Sequence, residues 1–269
     1  MKKIIILLTI VFATPMAQAE KVFSLGVVPQ QSASSLAKVW VPLAMFLSTK
    51  TGENIRFATA PTIPEFEKRV AAGRYDIVYL NPYHYTLFSK SIGLRAIARQ
   101  KDKRIQGIIV VASDSEISNL AMLEKAEIAF PAPAAFAATV LPQANLTLRN
   151  IAFTPRYVSS HDSVYAAVAK GLFVAGGGIV RTLSTLPKAL SNELKIIWRS
   201  EGYTPHAFAV SSTISPETAV KIQNALVSLN EQEEGKNILS KLGFNTGIVK
   251  STDSDWDDVR ALNIKIIKQ

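Results

Sequence analysis

The stretch 70–88, Val-Ala-Ala-Gly-Arg-Tyr-Asp-Ile-Val-Tyr-Leu-Asn-Pro-Tyr-His-Tyr-Thr-Leu-Phe, constrains this chain more than any other. Gly73 suits a helix C-cap, because a residue without Cβ takes the left-handed conformation cheaply. The run 75–80 is short, β-prone and almost wholly apolar, the pattern of a strand covered on both faces. Pro82 ends it. Asn81, Tyr83, His84 and Tyr85 then stand at the carboxyl end of that strand, where open α/β sheets place their ligand crevices. The prediction is a ligand-binding turn on an α/β scaffold.

The same pattern returns farther along. Val168-Ala169-Lys170-Gly171-Leu172-Phe173-Val174-Ala175 repeats the Val, Ala and Gly positions of Val70 to Ile77, with Phe173 opposite Tyr75. Such an echo implies two similar lobes, each aiming a helix-glycine-strand unit at a shared interface.

The amino terminus reads as an export signal rather than as structure. Lys2 and Lys3 form the charged start, 4–13 the apolar run, and Ala17-Gln18-Ala19 a cleavage site of small residues. The apolar run is too short to span a bilayer, which needs about twenty residues. The expected mature chain starts near Glu20 in a bacterial periplasm. With no cysteine in the sequence, neither a disulfide nor a lipid-anchored cysteine is possible. Removing Lys2 and Lys3 lowers the formal charge from +9 to +7. That excess favours anionic ligands weakly, but the basic residues are scattered without runs or interleaved aromatics, so nucleic acid is not an expected partner.

A pass along the chain gives a strand at 22–28, a loop Pro29-Gln30-Gln31-Ser32 feeding a helix at 34–49, a strand at 55–58 and a helix at 64–72. This is the order of a parallel β-α-β sheet. Strands at 96–98 and 107–112 leave the first lobe; 127–130 opens the second with another strand. A Pro-punctuated turn, 131–142, containing Thr139, enters a helix running to about 145. Ser159-Ser160-His161-Asp162 offers N-cap candidates for a helix at 163–170. A strand near 208–210 carries the chain back, and helices at 216–229 and 233–242 close it. The expected architecture is two lobes, 20–110 with 211–269 and 111–210, hinged by crossing strands. Gly176-Gly177-Gly178 reads either as a hinge or as backbone brought close to a ligand.

Leu25-Gly26-Val27-Val28-Pro29-Gln30, the 73–85 block, Ser160-His161-Asp162-Ser163, Gly171 and Tyr203-Thr204-Pro205-His206 together resemble the periplasmic phosphate/phosphite/phosphonate-binding protein family. The resemblance implies a type 2 periplasmic binding fold, each lobe a mixed sheet flanked by helices, serving an ABC importer. It implies an anion between the lobes, held by hydroxyls, backbone N–H groups at helix starts, a tyrosine and a histidine. Tyr85 falls on the family tyrosine and His161 on the family histidine. The Ser-Thr-Ser-Gly turn of many relatives is Ala135-Phe136-Ala137-Ala138 here, and the acids suited to an aminoalkyl group are Val174 and a position near His206.

The expected ligand-binding residues are Gln30, Ser32, Asn81, Tyr83, His84, Tyr85, Thr139, Ser159, Ser160, His161 and His206. The three histidines could donate to an anion or, as neutral imidazoles, ligate a metal, although no cofactor is expected. Ser160-His161-Asp162 contains triad residue types whose adjacent side chains diverge, and neither Gly-x-Ser-x-Gly nor His-Glu-x-x-His occurs, so catalysis is not expected. The expected partners of this monomer are a small anionic solute and an ABC permease, or alternatively a membrane signalling protein.

Overall fold

A computed structural model describes residues 21–262; the expected export signal lies outside them. The chain begins as β1 (Val22–Val27), α1 (Ala33–Thr51), β2 (Asn54–Ala58), α2 (Ile63–Ala71), β3 (Ile77–Leu80), α3 (Pro82–Ile92) and β4 (Arg95–Gln100). It continues through β5 (Gly107–Ala112), β6 (Ala126–Phe130), a π-helical turn (Phe136–Val140), α4 (Leu141–Leu148), β7 (Phe153–Tyr157), α5 (His161–Ala169), β8 (Ala175–Ile179), α6 (Val180–Ser184), α7 (Lys188–Ser191) and β9 (Leu194–Arg199). It returns through β10 (Ala207–Val210), α8 (Pro216–Ser228), α9 (Glu233–Leu242), β11 (Ile248–Lys250) and α10 (Asp257–Arg260).

These elements make two mixed sheets flanked by helices. One runs β11-β4-β10-β3-β1-β2, the other β7-β6-β8-β5-β9. In the first, β1 lies parallel to β2 and β3, while β10 inserts antiparallel between β3 and β4. In the second, β6 lies parallel to β7 and β8, and β5 antiparallel to β8 and β9. The repeat seen in sequence is real as geometry. Gly73 and Gly171 end α2 and α5 at φ +64° and +70°, and β3 and β8 follow as interior strands of their sheets.

Each sheet has an apolar layer on both faces. In the first, α1, α8 and α9 cover one face around Leu43, Phe208 and Leu226. The other face packs α2 and α3 around Phe66, Tyr85 and Trp256, and that layer continues into Ala132–Leu141 of the second sheet's helical side. Two crossing segments join the sheets, and they pair once: Ile105 and Tyr203 exchange backbone hydrogen bonds of 2.8 and 2.9 Å.

Two local features differ from the sequence reading, each for a steric reason. Residues after Pro82 form α3 rather than a turn, because Asn81 caps the amide of His84 at 2.8 Å and proline is well placed in a first helical turn. The three glycines 176–178 are neither hinge nor ligand contact; they sit inside β8. A Cβ on Gly176 or Gly178 would meet Val164 or Tyr165 of α5, and one on Gly177 would lie 2.0 Å from the Ala138 carbonyl. Glycine here lets helices approach the sheet from both sides.

Candidate functional site

The segments that turn toward each other between the sheets enclose a cavity of about 130 Å³. Its wall combines Val28 and Gln30 after β1, Tyr79 of β3, and Asn81 at the start of α3. The crossing segments add Lys103, Arg104, Ile105, Pro205 and His206. From the second sheet come Ala135 to Ala138, His161 and Ile179 to Arg181. No Asp, Glu, Ser or Thr lines it.

Local structure sets each contribution. Pro142 cannot donate to the carbonyl four residues back, and its ring crowds that position, which accounts for the π-helical turn just before it. The Leu141 amide reaches back five residues to Phe136 instead. The first amides of this helical run, from Phe136 onward, belong to residues of the cavity wall, and a helix start leaves such donors without intrahelical partners. Ser160 caps α5 by accepting from the Ser163 amide at 3.1 Å, which puts His161 at the first helical position.

Both cavity histidines are uncharged near neutrality. Burial alone lowers His161 from 6.5 to about 4. His206 is lowered from 6.5 to about 3, first by burial and then by Arg181, His84 and His161. His206 stacks on Tyr79 with centroids 5.0 Å apart and lies 3.2 Å from the Gln30 amide. The charge of the wall is therefore carried by Lys103, Arg104 and Arg181. Arg104 is already tied to the Gly202 carbonyl, the Thr204 hydroxyl and the Asp258 carboxylate. Arg181 donates to the Leu242 carbonyl at 3.0 Å, from the second sheet's side to the end of α9 on the first.

Of the eleven expected residues, Gln30, Asn81, His161 and His206 line the cavity. The rest are placed elsewhere. Tyr85 does not face His161 across the cleft: it donates to Asp253 at 2.6 Å, accepts from the Ala96 amide and packs 4.6 Å from Trp256. His84 is fully buried against Glu67 at 2.9 Å. With α3 helical, Tyr83, His84 and Tyr85 rotate about 100° per residue, and only the cap Asn81 keeps the cleft side. Tyr83 and Tyr85 line a separate surface groove with Lys90 and Arg260. Ser32 caps α1 through the Ser35 amide, Ser160 caps α5, Ser159 turns the chain at φ +74°, and Thr139 donates to the Ala132 carbonyl at 2.7 Å. Sequence reasoning missed Tyr79, Lys103, Arg104 and Arg181. A search for cations at strand ends and on the crossing segments would have reached the last three. Among the described residues, no three His, Asp or Glu side chains converge to hold a metal, so the trihistidine alternative is withdrawn.

A family model described as the phosphonate ABC transporter's periplasmic substrate-binding protein matches residues 25–256. The chain belongs to this family. Membership makes this phosphonate-family binding protein a transport component of the periplasm. Phosphate-import protein PhnD of Mycolicibacterium smegmatis is 24% identical over 267 residues, covering 88% of this chain and 83% of the relative. PhnD1 from Prochlorococcus marinus, solved with methylphosphonate, superposes at a TM-score of 0.82 with 16% identity, covering 90% of this chain and 97% of that one. A binding-protein component of an ABC phosphonate transporter from Pseudomonas aeruginosa gives 0.79 with 17% identity, covering 91% and 86%. These structures share the two-lobe fold of this family member.

Proposed function

We propose that this binding protein closes its cleft on a small tetrahedral oxyanion, a phosphate or phosphonate, and hands it to the membrane permease of an ABC importer. One observation carries the reading: the cavity wall holds Lys103, Arg104 and Arg181 and no carboxylate. With both histidines neutral, the wall is positive, and amides at the helix starts near Phe136 and His161 supply further donors suited to oxyanion oxygens. Each hydrogen bond to a charged group contributes about 1.5–3 kcal/mol. Gln30, His161 and His206 stand in for the hydroxyls lost from the Ala135 to Ala138 turn, while Asn81 holds that turn in place, its Nδ2 donating to the Ala134 carbonyl at 3.0 Å. The lobes follow the two sheets, so the expected boundaries at 110/111 and 210/211 shift toward the amino end, with all of β5 in the second lobe and β10 in the first, and the paired crossing segments between them are the hinge. Ligand contacts made from both sides at once select the closed state.

Calorimetric titration with phosphate, phosphite, methylphosphonate and sulfate is the test. The expected result is one-to-one binding of at least one, weakened about tenfold by Arg181→Gln, a difference of about 1.4 kcal/mol. Silence toward all four overturns the reading. Capture from detergent-solubilised membranes should retrieve permease subunits; a signalling protein in their place would assign the chain to sensing.

A further inference from the structure

The main cavity does not end at its own wall. A second cavity of about 50 Å³ adjoins it, and both are lined by Val28, Gln30, Tyr79, Ile179 and Arg181. Beyond those shared residues the side cavity is mostly apolar, with Leu36, Val39 and Trp40 of α1 facing Leu242 and Phe244 at the end of α9. Trp40, Tyr79 and Phe244 form one packed aromatic cluster, with centroid separations of 4.6 to 6.3 Å, so this wall is a fixed surface. Neither cavity is lined by a carboxylate.

Arg181 stands at the junction. Its guanidinium is anchored on the Leu242 carbonyl at 3.0 Å, and the backbone that presents it is anchored too: the Tyr165 hydroxyl donates to the Ile179 carbonyl at 2.8 Å and accepts from the Ile179 amide at 2.9 Å. A fixed cation thus sits beside an opening into an apolar compartment. That pairing suits one ligand chemistry, a charged head joined to an uncharged hydrocarbon group.

We infer that the ligand is an oxyanion carrying a short apolar substituent, an alkylphosphonate of about three carbons, with its charged head beside Arg181 and its chain in the side cavity. This rests on the oxyanion reading above and narrows it. A single water needs about 10–15 Å³ on the same measure, so the side cavity of about 50 Å³ takes about three to five groups of that size. An aminoalkyl chain of equal length is disfavoured, because its ammonium would be buried beside Trp40 and Phe244 with no acid to pair it.

The test is a titration series with methyl-, ethyl-, propyl- and 2-aminoethylphosphonate. Affinity should rise about three- to fourfold with each added methylene up to propyl. The 2-aminoethyl compound, nearly isosteric with propyl, should bind at least about tenfold more weakly than it. Val39→Phe, which fills the side cavity, should flatten the methyl-to-propyl ratio; its thermal unfolding is recorded alongside, and the series on the unaltered protein decides if the variant does not fold. Affinity that is flat or falls from methyl to propyl, or a 2-aminoethyl compound that binds as tightly as propyl, overturns the inference while leaving the oxyanion reading standing. If none of the four binds, while phosphate, phosphite and sulfate are also silent, both fail together.

Discussion

Replacing Gly177 with alanine adds one methyl group at the place where β8 and the π-helical turn come closest. An ideal Cβ there lies 2.0 Å from the Ala138 carbonyl oxygen and 2.6 Å from a ring carbon of Phe130. Real Cβ atoms essentially never approach closer than 3.0 Å, so the turn must retreat by about 1 Å or the strand must bend. The obstacle is backbone, tied by the short hydrogen bond from the Thr139 amide to the Ala135 carbonyl at 2.7 Å, and it cannot rotate away as a side chain would. Overpacking of this kind costs typically about 1–3 kcal/mol, and a backbone obstacle puts Gly177→Ala at the upper end, about 3 kcal/mol. Alanine's lower backbone entropy in the unfolded chain returns only about 0.5–1 kcal/mol of that. Urea unfolding followed by circular dichroism measures the difference. Gly73→Ala is the matched control, since no atom lies within 4 Å of its Cβ and only the φ of +64° is strained, at about 1–2 kcal/mol. The two variants also separate at the cleft: a displaced Ala138 carries cavity-lining amides with it, so anion affinity should fall for Gly177→Ala and hold for Gly73→Ala. A Gly177→Ala protein that unfolds at the wild-type midpoint would refute the close-approach argument.

Tyr85→Phe removes a hydroxyl that donates to Asp253 and accepts from Ala96, so urea unfolding should register a loss of about 1–3 kcal/mol. Its anion affinity should match the wild type, because the ring faces away from the cleft. Acid should destabilise the protein through its buried histidines. His161 and His206 are lowered from 6.5 to about 4 and about 3, so the unfolded chain takes up protons that the folded chain refuses. That stabilising contribution is complete above pH 6.5 and is lost as pH falls toward 4, so the urea midpoint should drop from pH 7.5 to 5, less steeply in His161→Gln. A midpoint that does not move over that range would count against neutral, buried imidazoles.

Much of the scaffold was legible because it rests on local signals. Gly73 and Gly171 mark helix ends that recur in both sheets, and the apolar runs of β3, β5 and β6 announce covered strands. The family resemblance placed the cleft correctly between the sheets and put His161 on it. What escaped is tertiary. Nothing in the spacing of Tyr83, His84 and Tyr85 distinguishes a polar turn from a capped helix that rotates two of them into the core and one onto Glu67. A tyrosine carried over by family position can keep its place in the chain while spending its hydroxyl on Asp253. The glycine triplet looked like freedom and is crowding, because the atoms that demand it, the Ala138 carbonyl and the Tyr165 ring, come from other elements. Arg181 was passed over because its task depends on α9, about sixty residues farther along.

The second sheet is built from one uninterrupted stretch, β5 through β9, whereas the first waits for β10 to slot between β3 and β4. A nascent chain emerging amino end first can complete the inner module while its outer one still lacks a middle strand. Long-range pairing of this sort is slow to form, and until residue 207 appears β3 and β4 present open edges that invite mispairing. The last helix among the described residues then seals the arrangement, since Asp258 of α10 holds both Arg104 and Thr204. Trimming the carboxyl end back past α10 should therefore slow the maturation of the protein and also release Arg104, one of the cations of the cleft wall, from its carboxylate partner.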